Sequence, residues 1–142
     1  MKLTGSCYCH ALTYEVNLDS ADDARMSLCH RKNCKKAFGT NYGLTAKIPV
    51  SSFKYTSSSK KPKEHATDNG SGAVVTRESC DTCGSFILEY GAAAKEHFRY
   101  VTYGSPRRPP NSSRQKAEFF CKQRSTWMPE IPDVFHKQEV KQ

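Results

Sequence analysis

The sequence predicts a mainly β domain over residues 1–142, with short helices only and a metal as its fastener. Three observations carry this. β-Branched and aromatic residues gather in short runs. Only two brief segments suit a helix. Six of the seven cysteines fall into three close pairs. With 37% apolar residues in 142, the core is lean, and a small domain with a lean core generally needs a staple.

Taken in order, residues 11–16 alternate, with Leu12, Tyr14 and Val16 on one face of a strand. Residues 19–23 are acidic and polar and read as a turn. Lys32 to Phe38 is the first helical segment. Residues 42–48 and 53–56 are short strands interrupted at Pro49. Residues 57–72, rich in Ser, Lys, Gly and Asn, read as a mobile surface loop. Residues 73–77, 86–90 and 98–103 are the strongest strands, the last placing Tyr100 and Tyr103 on opposite faces. Residues 92–97 form the second helical segment. Residues 105–113 hold Pro106, Pro109 and Pro110 and read as a loop. A last strand is expected at 118–122, with Cys121 a buried thiol.

The net charge is +8, and the excess sits in residues 31–63, where nine side chains are basic and none acidic. That stretch suits an anionic small molecule, an acidic partner or plain solvation. The basic residues show neither a helix-turn-helix pattern nor regularly spaced aromatic platforms, so nucleic acid is not the expected partner. No run reaches the roughly 18–20 apolar residues of a membrane span. Residues 1–6 have no apolar leader core, and the cysteine count is odd. Together these predict a reducing, cytoplasmic setting rather than a disulfide framework. Pairing into a homodimer is left open.

Thiolates bind zinc tetrahedrally, and two close pairs from distant segments fill four positions. Cys80-x2-Cys83 followed by Gly84 is the most specific pair, a tight knuckle closed by a residue free to take positive φ. Cys7-x-Cys9 precedes a strand and points both sulfurs one way. Cys7, Cys9, Cys80 and Cys83 are therefore the expected metal ligands; buried free thiols are the plain alternative. Cys29 and Cys34 sit among His30, Arg31, Lys32, Lys35 and Lys36, where positive charge should favour both thiolates. They are candidates for an open metal site or for reactive thiols. His30 is a candidate third ligand or an ordinary, partly exposed histidine, since neighbours in extended chain point apart. His65 and His136 lie in polar segments and read as solvated.

Gly5-Ser6-Cys7-Tyr8-Cys9-His10 with Tyr14-Glu15-Val16 resembles the opening of the glutathione-dependent formaldehyde-activating enzymes and their centromere-protein-V-like relatives. Cys80-x2-Cys83-Gly84 after Arg77 resembles their second structural pair. Tyr103-Gly104-Ser105 resembles a later segment, without its acidic residues. Arg124-Ser125-Thr126-Trp127-Met128-Pro129 with Ile131-Pro132 resembles their closing segment. The resemblance runs in order along nearly the whole chain. It implies a β-tent fold with two zinc sites. One is structural, carried over to Cys7, Cys9, Cys80 and Cys83. The other is catalytic, built on a CxCxxC motif whose zinc leaves room for a substrate thiol, typically that of glutathione. The implied activity joins formaldehyde to glutathione or reverses that step, a carbon–sulfur lyase reaction. Aligned to CxCxxC, Cys29 and Cys34 take the outer positions and Arg31 the middle one. Arginine cannot bind zinc, so one structural zinc is the expectation, and a second at Cys29 and Cys34 would need His30 or a substrate thiol to complete it. His10 replaces the usual glycine after the first pair and can shape a pocket.

Three functions follow as expectations. The first is a family-type enzyme on a small-molecule substrate, glutathione or another anionic thiol. Cys29, His30, Arg31 and Cys34 would be its catalytic group, and Arg31, Lys35, Tyr103 and Trp127 would bind the substrate. The second is a repurposed enzyme running acid–base chemistry (dehydration, isomerisation or cyclisation) with the structural zinc alone, drawing on His30, His97, Tyr103, Glu78 and Arg31. The third is a non-enzymatic zinc module that binds an acidic partner through residues 31–63.

Overall fold

The structure, a computed structural model, describes residues 1–107 and 115–139. It is built mainly of strands, as the sequence predicts. A three-stranded sheet comprises β1 (Lys2–Ser6), β2 (Thr13–Asn17) and β5 (Phe53–Tyr55), ordered β1-β2-β5. An eight-stranded sheet holds β3 (Arg25–Cys29), β4 (Gly43–Pro49), β6 (Lys63–Asp68), β7 (Val74–Ser79), β8 (Phe86–Gly91), β9 (Phe98–Thr102), β10 (Gln115–Phe119) and β11 (Phe135–His136). Its order is β11-β10-β3-β4-β9-β8-β7-β6. Pairing is antiparallel except that β10 runs parallel to β3 and β11. Helix α1 (Lys32–Phe38) follows β3, as predicted, and ends at Gly39 in the left-handed region.

The alternation at Leu12, Tyr14 and Val16 does what the sequence suggests. These side chains are buried with Ile48, Leu88, Tyr90 and Val101 of the larger sheet, so the core lies between the two sheets. Tyr14 sits opposite Gly5 in the β1–β2 register. A Cβ at Gly5 would lie 2.2 Å from the Tyr14 ring. Only glycine lets the tyrosine fold across β1, where it stacks on Phe53 at 5.0 Å between centroids.

Several expectations need correction. Residues 57–72 are not simply a loop, because β6 lies within them. All six β6 residues are exposed, so no apolar alternation marks the strand; it is held by backbone pairing to β7 from Lys63↔Ser79 to Asp68↔Val74. The Asp68 carboxylate accepts the Gly70 and Gly72 N–H groups and closes the hairpin. Residues 92–97 make only a 3-10 turn at Ala92–Ala94. The strand expected at 118–122 ends at Phe119, and Cys121 opens a 3-10 turn, although its thiol is buried as expected. Tyr103 lies one residue past β9, so the opposite-face argument does not apply to it. Of the expected loop 105–113, Pro106 bridges Gly5, and residues 108–113 lie outside the described residues.

Glu118 ties three segments together. Its carboxylate is wholly buried. Arg124 donates to both oxygens at 2.9 Å. The His30 ring lies 2.5 Å away through Nε2. His136 Nε2 lies 3.0 Å from Oε2, so His136 is a partly buried member of this cluster and not a solvated residue. Burial alone would raise the Glu118 carboxyl, but the bonds from Arg124 and His30 outweigh it and hold the group below the usual carboxylate range. A depressed folded-state value stabilises the fold at pH above the ordinary carboxyl pKa of about 4.3. That contribution disappears as pH falls through the lower, folded value. Glu118→Ala, which strands a buried imidazole and a partly buried guanidinium, is expected to cost about 3–5 kcal/mol in urea unfolding at neutral pH. The deficit should shrink as pH falls below about 4. A loss under about 1 kcal/mol would show that the cluster is not a fastener.

Candidate metal centre and the neighbouring cleft

Two turns from distant parts of the chain meet at four thiols. The first joins β1 to β2. Cys7 N–H donates to Leu12 O at 3.0 Å, and His10 N–H donates to Cys7 O at 3.1 Å with His10 at φ 64°. This presents Cys7 and Cys9. The second joins β7 to β8. Gly84 N–H donates to Cys80 O at 2.9 Å, and Gly84 takes φ 76°. This presents Cys80 and Cys83. The four sulfurs all lie within 4.8 Å of one another, with Cys7–Cys9 at 3.6 Å and Cys9–Cys80 at 3.7 Å. A tetrahedron with Zn–S bonds of about 2.3 Å has edges of about 3.8 Å, so the donor set fits a tetrahedral metal ion.

The electrostatics agree. Leu12 N–H donates to Cys7 Sγ at 3.3 Å and Thr82 N–H to Cys80 Sγ at 3.4 Å. Backbone N–H groups of Cys83 and Thr82 draw the Cys80 thiol below its usual value. The Ser85 hydroxyl, 3.1 Å from Cys83 Sγ, and the Ser85 and Cys9 backbone bring Cys83 down to about 5. The Ala11 N–H favours the Cys9 thiolate, but lost solvation and the crowd of Cys7, Cys83 and Cys80 sulfurs outweigh it and push Cys9 up to about 11. Four sulfurs this close cannot all ionise without a cation between them.

The Cys29 neighbourhood is different. Arg31 stands just before α1, and its guanidinium lies over the Phe120 ring at 5.1 Å. His30 is wholly buried against Glu118. It is not a partly exposed histidine: its Nε2 meets Glu118, its Nδ1 is buried without a partner, and it forms no cluster of three metal-ligating atoms with Cys29 and Cys34 among the described residues. The thiols also diverge. Cys29 is drawn down, first by the Cys34 thiol facing it and less by the Arg31 backbone and charge. Cys34 is pushed up by the Cys29 thiol and by burial. The expectation that both thiols are depressed is thus corrected: sulfur–sulfur contact outweighs the surrounding cations. The residues present do not fit a second zinc.

A cleft of about 1050 Å³ lies beside the four-thiol centre. Tyr14, Ser105, Ser6, His10, Phe38 and Arg107 are among its walls. The Tyr14 hydroxyl is 2.6 Å from Ser105 Oγ, and Ser6 Oγ is 3.0 Å from His10 Nδ1. Burial keeps Tyr14 protonated well above its usual range, only partly offset by Ser105. His10 does line this pocket. Cys29, Arg31, Cys34, Lys35, Tyr103 and Trp127 do not. Lys35 Nζ donates to Gln123 O at 2.6 Å, Tyr103 lines a small apolar gap, and Trp127 is 74% exposed. Of the acid–base candidates, Glu78 is buried and accepts from the Tyr55 hydroxyl at 2.8 Å, and His97 is exposed. Ser6, Tyr14 and Ser105 escaped the sequence reading as cleft groups. Gly5, opposite Tyr14, was the available signal. The basic run is spread over both sheets and α1, with Lys60 paired to Asp81 at 2.7 Å and Lys47 over Phe98 at 3.9 Å. No helix is long and apolar enough to cross a membrane among the described residues.

The family described as "Glutathione-dependent formaldehyde-activating enzyme" matches residues 2–123. The chain also resembles the crystal structure of a Rhodobacter sphaeroides protein, with 18% identity and a TM-score of 0.54 over 72% of this chain and 85% of that one. No curated protein matches.

Ser85 accepts the Tyr8 N–H at 2.9 Å while its hydroxyl faces Cys83, so it couples the two turns. Ser85→Ala is expected to weaken metal affinity about 10–100-fold in chelator competition. Unchanged affinity would show that Ser85 does not orient Cys83.

Proposed function

Because the chain belongs to the glutathione-dependent formaldehyde-activating enzyme family, we propose that it is a one-zinc member acting on a small organic molecule in the cleft beside the Cys7, Cys9, Cys80 and Cys83 centre. The carrying observation is the single four-thiol cluster among the described residues, set against a polar-rimmed cleft of about 1050 Å³. A zinc closed by four thiolates has no open position and serves the fold. The chemistry then falls to side chains, and its class is acid–base: dehydration, isomerisation or cyclisation.

On this reading His10, held by Ser6, is the group on the rim that takes or gives a proton. Tyr14, kept protonated by burial and held by Ser105, is a neutral hydrogen-bond donor to a developing oxyanion. Arg107 supplies positive charge for a carboxylate substituent. Carbon–sulfur lyase chemistry on glutathione is the second reading. It is favoured by the family match and by the Cys29 thiol being drawn down beside Cys34.

Elemental analysis separates the two. One zinc per chain is expected, with no turnover of formaldehyde and glutathione, and Arg31→Cys should add a second zinc. Two tightly held zinc ions in the unaltered chain, with formaldehyde-dependent turnover of glutathione, would overturn the one-zinc reading in favour of the lyase.

A further inference from the structure

Two phenyl rings stand outside the core. Phe38 ends α1 and Phe86 opens β8. Both are half-buried, and neither belongs to the cluster between the two sheets. Their rings meet edge to face at 4.8 Å between centroids, and both line the cleft beside the four-thiol centre. A Cβ on Gly43 would lie 2.8 Å from the Phe38 ring, so Phe38 needs the bare backbone at the start of β4 to take this place. Aromatic quadrupoles favour a third ring in the same edge-to-face relation.

The cleft also has a charge preference. Glu15, the one carboxylate among its described lining residues, is paired with Lys2 at 2.7 Å. Arg107 is exposed on the rim, and the backbone sets its place. Ser6 N–H donates to Ser105 O at 3.2 Å, Gly5 bridges Pro106, and Arg107 N–H donates to Thr4 O at 2.8 Å. Residues 105–107 therefore run along β1, where residues two apart point the same way. Ser105 reaches the Tyr14 hydroxyl at 2.6 Å, and Arg107 projects on that same side.

We propose that this cleft binds an aromatic carboxylate, with its ring against Phe38 and Phe86 and its carboxylate on Arg107. The inference rests on the one-zinc, acid–base reading and names the substrate class for it. Guanidinium takes a carboxylate bidentately, and Glu15 does not compete because Lys2 already matches its charge. An oxygen substituent near the carboxylate meets the Tyr14 hydroxyl, since Ser105 and Arg107 are neighbours on one side of their segment. An alicyclic acid of equal length makes the ion pair without the ring contact. An uncharged aryl alcohol makes the ring contact without the ion pair. Glutathione, which has no ring, makes no contact of this kind with Phe38 and Phe86.

The test is calorimetric titration of the zinc-loaded full chain with phenylpropionate, cyclohexylpropionate and phenylpropanol. The expected result is one-to-one binding of phenylpropionate, about tenfold tighter than either of the others. Phe86→Leu should erase the preference over cyclohexylpropionate, and Arg107→Gln the preference over phenylpropanol, each with zinc content unchanged. In a one-zinc chain, equal binding of cyclohexylpropionate would overturn the aromatic wall, and equal binding of phenylpropanol would overturn the Arg107 contact. No binding of phenylpropionate to that chain would overturn the proposal outright. All three results leave the one-zinc reading standing. A chain that holds two zinc ions and takes glutathione in preference to phenylpropionate would overturn both.

Discussion

The arrangement depends on four sulfurs held within 4.8 Å of one another. They join the turn of the first hairpin to a knuckle more than 70 residues later, and they do so at the edge of the core. The first hairpin belongs to the small sheet and the knuckle to the large one. A metal held by these thiolates would lock one sheet onto the other, a staple suited to a lean core. The cost of closing so long a loop is modest because loop entropy grows only logarithmically with length. The same fastening shapes the cleft, since Cys7, Tyr8 and His10 of the first turn, with Ser6 at the end of β1, form one of its walls.

Much of this was legible in the sequence because the signals are local and chemical. Cys80-x2-Cys83-Gly84 names its own turn, and Leu12, Tyr14 and Val16 name their buried face. The α1 bounds also agree with expectation. The illegible parts are those in which tertiary context overrides pattern. β6 has no buried side chain, so only its ladder to β7 makes it a strand. His30 reads as a partly exposed histidine beside two cysteines, yet it is buried and its Nε2 meets a carboxylate 88 residues away. The cleft is assembled from residues near 6, 10, 14 and 105, and no spacing rule joins those positions.

The Glu118 cluster and the four-thiol centre divide the work of holding the molecule. The thiol centre fixes the small sheet and the β7–β8 turn. Glu118, with His30, Arg124 and His136, anchors β10, β3 and β11 at the opposite edge of the large sheet. Cys29 is the last residue of β3 and pairs with Phe119 on this anchored edge.

X-ray absorption at the zinc edge tests the central claim most directly. A single shell of four sulfurs at about 2.3 Å, with no nitrogen or oxygen scatterer, is the predicted spectrum. A shell containing light atoms, or fewer than four sulfurs per zinc, would contradict the account.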